Sequence, residues 1–137
     1  MSISGVLGRF LAVYVVLMIF AGFAFRFFGI TSNSGVNVGI LIGAVMWSCT
    51  AFGMKNKRYF TASEKSKVVW SMIGMNLLLQ LLIGGAALAA EGKLSIGALA
   101  FALVFVGLIH SLAIAYFVGL AGKSLTKQLQ KQAEAGG

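Results

Sequence analysis

The sequence contains no aspartate and no proline, and it has only three Glu, one His and one Cys among 137 residues. Each shortage excludes something. One His, one Cys and no Asp cannot assemble a structural metal cluster or an acid–base–nucleophile triad. Ser111 follows His110 directly, but neighbours on a helix point about 100° apart, so they are no nucleophile–base pair. The lone Cys49 has no partner for an internal disulfide and, lying in an apolar run, is silent about redox compartment. The three glutamates, Glu64, Glu91 and Glu134, all fall outside the apolar runs. Proton-coupled carriers normally use an intramembrane acid, and a small multidrug exporter would carry a glutamate in its first helix; this first run has none. These absences argue against an enzyme and against a cofactor or metal.

Charge is scarce as well: 10% of residues are charged, against about a quarter in a soluble domain. What fills the space is apolar, with 59% hydrophobic residues and a mean hydropathy of +0.95. Too little polar sequence remains to coat a water-soluble globule. The lack of proline leaves nothing to break long helices. Eighteen glycines would burden a soluble helix, but helices packed in lipid use them for close approach.

Four apolar runs, about 6–28, 36–54, 68–90 and 94–122, predict four helices, the third extended back to about 62 by a capping box that starts at Thr61. At 1.5 Å per residue each can span a hydrocarbon core of about 30 Å. Barrel strands are excluded, because the runs do not alternate and are twice the length a strand needs. The expected fold is an all-α membrane protein, a four-helix up-down-up-down bundle in one domain. Residues 29–35 have turn composition, and Glu91-Gly92-Lys93 makes a tight hairpin that sets the third and fourth helices side by side. The one substantial loop, 55–67, carries Thr61-Ala62-Ser63-Glu64, a capping box with Thr61 as N-cap and Glu64 at N3.

The net charge of +8 would point to nucleic acid in a soluble protein. Here the bases flank apolar runs, so the partner is the anionic headgroup layer, not nucleic acid. Arg9, Lys55, Lys57, Arg58, Lys65, Lys67, Lys123, Lys127 and Lys131 fall on one side, and Arg26 and Lys93 on the other. The positive-inside rule then puts both termini and the central loop in the cytoplasm. A rival treatment cuts the first run as a signal peptide at Gly22-Phe23-Ala24, leaving three helices. Its positive region is only Arg9 and its apolar character runs past the site, so the uncut helix is preferred. The basic tail, 123–137, is expected to be a solvated, fraying end; the alternative is an extension of the fourth helix along the headgroups.

Small residues form two stripes. Gly35, Gly39 and Gly43 share one face of the second helix, and Gly107, Ser111, Ala115 and Gly119 one face of the fourth. Packing inside the bundle is the simpler use, and contact between subunits the alternative. His110 is the only ionisable residue deep in an apolar run, about 18 Å from Gly122 along the fourth helix. Asn76 and Gln80 lie about 12 and 18 Å from Val68 on one face of the third. The hairpin therefore places Asn76, Gln80 and His110 in one slab of the membrane. With no carboxylate nearby to hold an imidazolium, they are expected to act as interhelical glue; a polar path is the functional alternative. Ser48, Thr50 and Asn37 can bond their own helix. Trp70, Tyr59 and Phe60 sit where an aromatic belt belongs, and Lys55, Lys57, Arg58, Lys65 and Lys67 can contact headgroup phosphates or a partner.

The segment from Phe52 through Lys55-Asn56-Lys57-Arg58 to Thr61-Ala62-Ser63-Glu64, followed by Trp70-Ser71, resembles an uncharacterised family of small four-helix proteobacterial membrane proteins known by a locus-tag name from Acinetobacter. The likeness covers most of the chain by layout and about twenty residues by motif. It implies a bacterial inner-membrane location and draws attention to Arg58, Thr61 and Glu64. Taken together, these readings point to a non-enzymatic protein that associates with another membrane protein or with itself, one form being an immunity-type protein that blocks a membrane-acting toxin. The runner-up is a small channel or carrier subunit with its path at His110, Asn76 and Gln80.

Overall fold

The computed structural model describes residues 1–29, 34–92 and 95–135, with residues 34 and 135 described in backbone only. It consists of four helices, α1 (Ile3–Phe28), α2 (Ser34–Asn56), α3 (Ala62–Ala90) and α4 (Ile96–Ala135). No strand occurs among the described residues. All four helices are long and apolar enough to cross a bilayer, which marks an integral membrane protein.

Local chemistry sets the ends. Ser2 caps α1 by accepting from the Gly5 amide at 3.2 Å, and Gly29, at φ +64°, closes it in the left-handed conformation that glycine adopts without strain. Lys57 does the same job after α2 at φ +54° despite its side chain, a costlier solution. The capping box of α3 forms as expected: Glu64 donates its amide to Thr61 Oγ1 at 3.3 Å, and Thr61 returns its own to Glu64 Oε2 at 2.9 Å. After α3 the chain turns at Gly92, φ +66°. The expected hairpin partner Lys93 and helix start Leu94 lie outside the described residues, and α4 begins at Ile96.

Around the bundle, α1 lies beside α2 and α3, and α4 lies beside the same two. Contacts between α1 and α2 run in opposite order along the two helices: Met1 meets Asn56, and Tyr14 meets Asn37. Those between α3 and α4 do likewise, with Gly107 against Leu77 and Gly85 against Leu99.

Packing is not uniform along the bundle. The buried helix side chains are Val6, Phe10 and Tyr14 of α1, Leu41, Ala44, Val45, Ser48, Cys49 and Phe52 of α2, Val68, Met72 and Asn76 of α3, and, from α4, His110, Ile114, Val118, Ala121 and Leu125. Every one belongs to the half that holds the N-termini of α1 and α3 and the C-termini of α2 and α4. In the other half no side chain among the described residues is fully covered. There, Phe20, Phe23, Phe27, Leu82 and Phe101 present themselves outward, as lipid-facing residues do.

Two expectations are corrected. The tail is not a loose end: α4 runs unbroken to Ala135, and Leu125 is buried against Gly53 of α2, whose missing side chain makes room for it. At 40 residues and 1.5 Å each, α4 is about 60 Å long, twice the hydrocarbon thickness, so its basic end must stand clear of the bilayer. Nor do Tyr59 and Phe60 serve as an aromatic belt. Tyr59 turns inward and donates to the Val118 carbonyl, while Phe60 stacks on Phe52 with ring centroids 4.2 Å apart. Trp70 alone of the three faces outward.

Gly122 is where the loop is seated: a Cβ there would meet the Tyr59 ring at 2.6 Å, whereas one at Gly39 would meet nothing within 4 Å. Gly122→Ala should therefore lower the midpoint of thermal unfolding in detergent, at a cost of about 1–3 kcal/mol, while Gly39→Ala leaves it unchanged or slightly higher. Equal midpoints for the two variants would show that Tyr59 does not hold the loop to α4.

Candidate functional site

A polar layer lies where the packed half meets the loose half, and each of the four helices supplies part of it. From α1, Tyr14 donates its hydroxyl to Asn37 Oδ1 of α2 at 3.1 Å. From α3, Asn76 Nδ2 donates to that same Tyr14 oxygen at 3.3 Å. One turn on, Gln80 Nε2 donates to Asn76 Oδ1 at 2.6 Å and stands 2.6 Å from His110 Nδ1 of α4. His110 Nδ1 is also 3.1 Å from Asn76 Oδ1.

The directions of these bonds are mutually dependent. Three atoms, Asn76 Oδ1, Gln80 Nε2 and His110 Nδ1, meet in a triangle, and an NH₂ group with two hydrogens can serve both other corners. Gln80 Nε2 then donates twice, with His110 Nδ1 as the second acceptor. Asn76, having spent its oxygen on Gln80, turns its amide nitrogen to Tyr14; the Tyr14 hydroxyl must then point at Asn37. The chain of bonds runs Gln80 to Asn76 to Tyr14 to Asn37 with no conflict of polarity.

The expected trio of Asn76, Gln80 and His110 is thus brought together. Tyr14 and Asn37 complete it, and Asn37 is corrected from a residue bonding its own helix to the acceptor for Tyr14. The signal for Tyr14 was its depth, about 17 Å along α1, where a belt tyrosine has no reason to be. Ser48 also departs from expectation: its hydroxyl is buried and has no hydrogen-bond partner among the described residues. No group of three potential metal-ligating residues gathers among the described residues.

Above the polar layer, in the loose half, opens a cavity of about 210 Å³. All four helices line it. Tyr14, Asn37 and Gln80 supply its polar groups, and its walls are apolar, with Met18, Leu79, Ile83, Leu88, Leu103 and Val106 among them. Below the layer, Phe10, Leu41, Val45, Met72 and Ile114 are packed without exposure, so the cavity does not continue through the bundle.

The small-residue stripes behave differently from one another. On α4, Gly107 is buried, and a Cβ there would meet Leu77 at 2.7 Å; Gly119 is half-buried beside Lys65, Ser111 is half-buried, and Ala115 is exposed. On α2, Gly35, Gly39 and Gly43 all lie on the exposed side, and nothing comes within 4 Å of a Cβ at Gly39 or Gly43. That stripe does not pack inside the bundle, contrary to the simpler expectation. It continues into an outer groove lined by Arg9, Gly43, Met46, Trp47 and Thr50.

In the basic loop, Arg58 is not free to grip phosphate. It binds Glu64 through both nitrogens, at 2.7 and 3.0 Å, and lies over the Phe52 ring at 5.6 Å. Glu64 beside it raises the Arg58 guanidinium above its ordinary value. Lys55, Lys57, Lys65 and Lys67 remain exposed.

Removing one member of the polar layer strands its neighbours in an apolar surrounding. Asn76→Leu should cost about 1–3 kcal/mol, read as a shifted SDS-unfolding midpoint in mixed micelles. Combined with His110→Leu, it should show a coupling of about 0.6–2 kcal/mol. Strict additivity of the two substitutions would break the link drawn between them.

No family model, curated protein or solved structure matches this chain.

Proposed function

We propose that this protein is a non-enzymatic membrane component that works by association within the bilayer, its α2 face receiving the α2 face of a second copy. The observation that carries the reading is the outward stripe of Gly35, Gly39 and Gly43. A glycine face lets two helix backbones approach closely, which gains dispersion contacts that lipid chains cannot match. Copies held in one orientation by the same charge asymmetry present this face in parallel register, and a twofold pairing asks for no other surface. No carboxylate lies in any apolar run, so a second copy brings no counter-ion for Arg9; backbone approach, not charge, is what such a pairing uses.

In this reading the four helices run up-down-up-down with both termini in the cytoplasm, where the lysines of the loop and of the projecting α4 meet anionic headgroups. A bacterial inner membrane agrees with the family resemblance, and an immunity-type role would use the same glycine face on a toxin's helix.

A second reading, a channel or carrier subunit, draws on the cavity above Gln80. The packed half stops any path through a single bundle, so transport would need an oligomer axis. Reconstituted flux that is absent, or unchanged by His110→Ala, counts against it.

The association is tested by Förster transfer between labelled copies in liposomes at falling protein-to-lipid ratio. Gly39→Leu with Gly43→Leu should weaken self-association at least tenfold, and Gly74→Leu on exposed α3 should leave it unchanged. A protein monomeric at every ratio, or pairing untouched by the double substitution, defeats the proposal; specific capture of a different membrane protein through the same glycines would replace the second copy with that partner.

A further inference from the structure

The cavity is a different surface from the α2 stripe and rests on different residues. Two hydrogen-bonding groups of the polar layer are left over at its lining. Asn37 receives the Tyr14 hydroxyl on Oδ1, and its NH₂ has no partner among the described residues. Gln80 spends Nε2 on Asn76 and His110, and its Oε1 has no partner among the described residues. Both side chains line the cavity.

This result does not depend on which way the amides are set. If every bond in the chain from Gln80 to Asn37 is reversed, with all three amides (Gln80, Asn76 and Asn37) turned over and His110 Nδ1 donating, Gln80 presents its NH₂ and Asn37 its oxygen. Either way the lining offers one free donor and one free acceptor, and no charge. A polar group left unpaired beside hydrocarbon costs free energy, so the pair favours an occupant that satisfies both. A hydroxyl both accepts and donates, so it can serve either amide. A carbonyl or ether uses only the donor, a hydrocarbon neither, and an ion would meet no counter-charge.

The rest of the cavity fixes the rest of the molecule. Met18, Leu79, Ile83, Leu88, Leu103 and Val106 provide a hydrocarbon wall. At about 210 Å³ it exceeds the roughly 150 Å³ that suffices for a benzene ring and falls below the 300–1,000 Å³ typical of drug-sized ligands. That accommodates a hydroxyl head and the first part of a chain, with the remainder lying among lipid beyond the loosely packed helices.

We propose that the cavity between the four helices binds the hydroxyl end of an uncharged single-chain amphiphile taken from the bilayer, held at the polar lining that Asn37 and Gln80 supply. The chemistry is shared by long-chain alcohols and by the glycerol hydroxyls of monoacylglycerols, and competition separates the two sources.

The test uses the full chain in phosphatidylcholine nanodiscs and a hexadecanol carrying a photoreactive diazirine on its chain, with labelled peptides mapped by mass spectrometry. Labelling should concentrate on 79–88 and 99–106. Excess 1-decanol or mono-oleoylglycerol should reduce it at least fivefold, the better competitor identifying the source, while decane should not. Asn37→Leu with Gln80→Leu should lower it about tenfold. That variant disturbs the polar layer and can lose its fold, so a second one fills the space without touching the layer: Gly84→Phe, where a Cβ meets nothing within 4 Å and the residue lines the cavity. It should abolish the concentrated labelling with helicity and unfolding midpoint retained. The proposal is overturned by a diazirine alkane lacking the hydroxyl that labels the same peptides equally, by labelling no denser there than on the outward residues Leu108, Leu112 and Tyr116, or by indifference to Gly84→Phe.

Discussion

Hydrocarbon offers a polar side chain no solvent, so each one placed there must find its partners in the protein. Tyr14, Asn37, Asn76, Gln80 and His110 do so together, and the arrangement of the bundle follows from that requirement. Their bonds join α1 to α2, α1 to α3, and α3 to α4, which are three of the four helix contacts present. Lipid chains are as apolar as leucine, so no hydrophobic force selects one helix rotation over another. A directional layer does. Rotating α3 by one residue, about 100°, would carry Asn76 away from Tyr14 and Gln80 away from His110 at once.

The fourth contact, α2 with α4, is made differently. It uses fit: Leu125 sits over Gly53, and just beyond the end of α2 Tyr59 packs on Gly122 and donates to the Val118 carbonyl. This fit lies at the end of the bundle where buried residues are concentrated. The Arg58–Glu64 pair and the capping box tie the 55–67 loop to the start of α3, so the loop is fixed from both sides. The segment 52–64 is thereby explained by construction: Phe52, Arg58, Phe60, Thr61 and Glu64 all serve to seat this loop on the packed end.

The helices were legible in the sequence because apolar runs in a chain without proline leave few other solutions, and the boundaries of α3 were read to the residue because a capping box marks its start. The trio of Asn76, Gln80 and His110 was legible from depth alone. Tyr14 was passed over because a tyrosine is half apolar and raises no alarm in a hydrophobic run, and Asn37 because its nearness to the helix start made a local bond seem sufficient. The facing of the glycine stripe could not be read at all. A small-residue face suits an internal and an external neighbour equally, and only the inward positions of Leu41, Ala44, Val45, Ser48 and Cys49 turn Gly39 and Gly43 outward. The helical tail stayed the less favoured alternative for a similar reason: nothing in the sequence says that Gly53 supplies the hollow that buries Leu125.

The orphaned hydroxyl of Ser48 shows why the polar layer matters for function and not only for assembly. Ser48 is enclosed in the packed half, where neither water nor a ligand can reach it, and its unpaired oxygen is a cost that the dense packing around it must offset. The leftover groups of Asn37 and Gln80 are of the same kind, but they stand at a cavity instead of in the core. An unpaired group in the core has nowhere to send its demand; one at a cavity selects what enters. The layer thus divides the protein into two halves of different character. Below it the helices are fitted to each other, and above it they are separated widely enough for something else to fit between them. The donor and acceptor at that boundary make its chemistry specific.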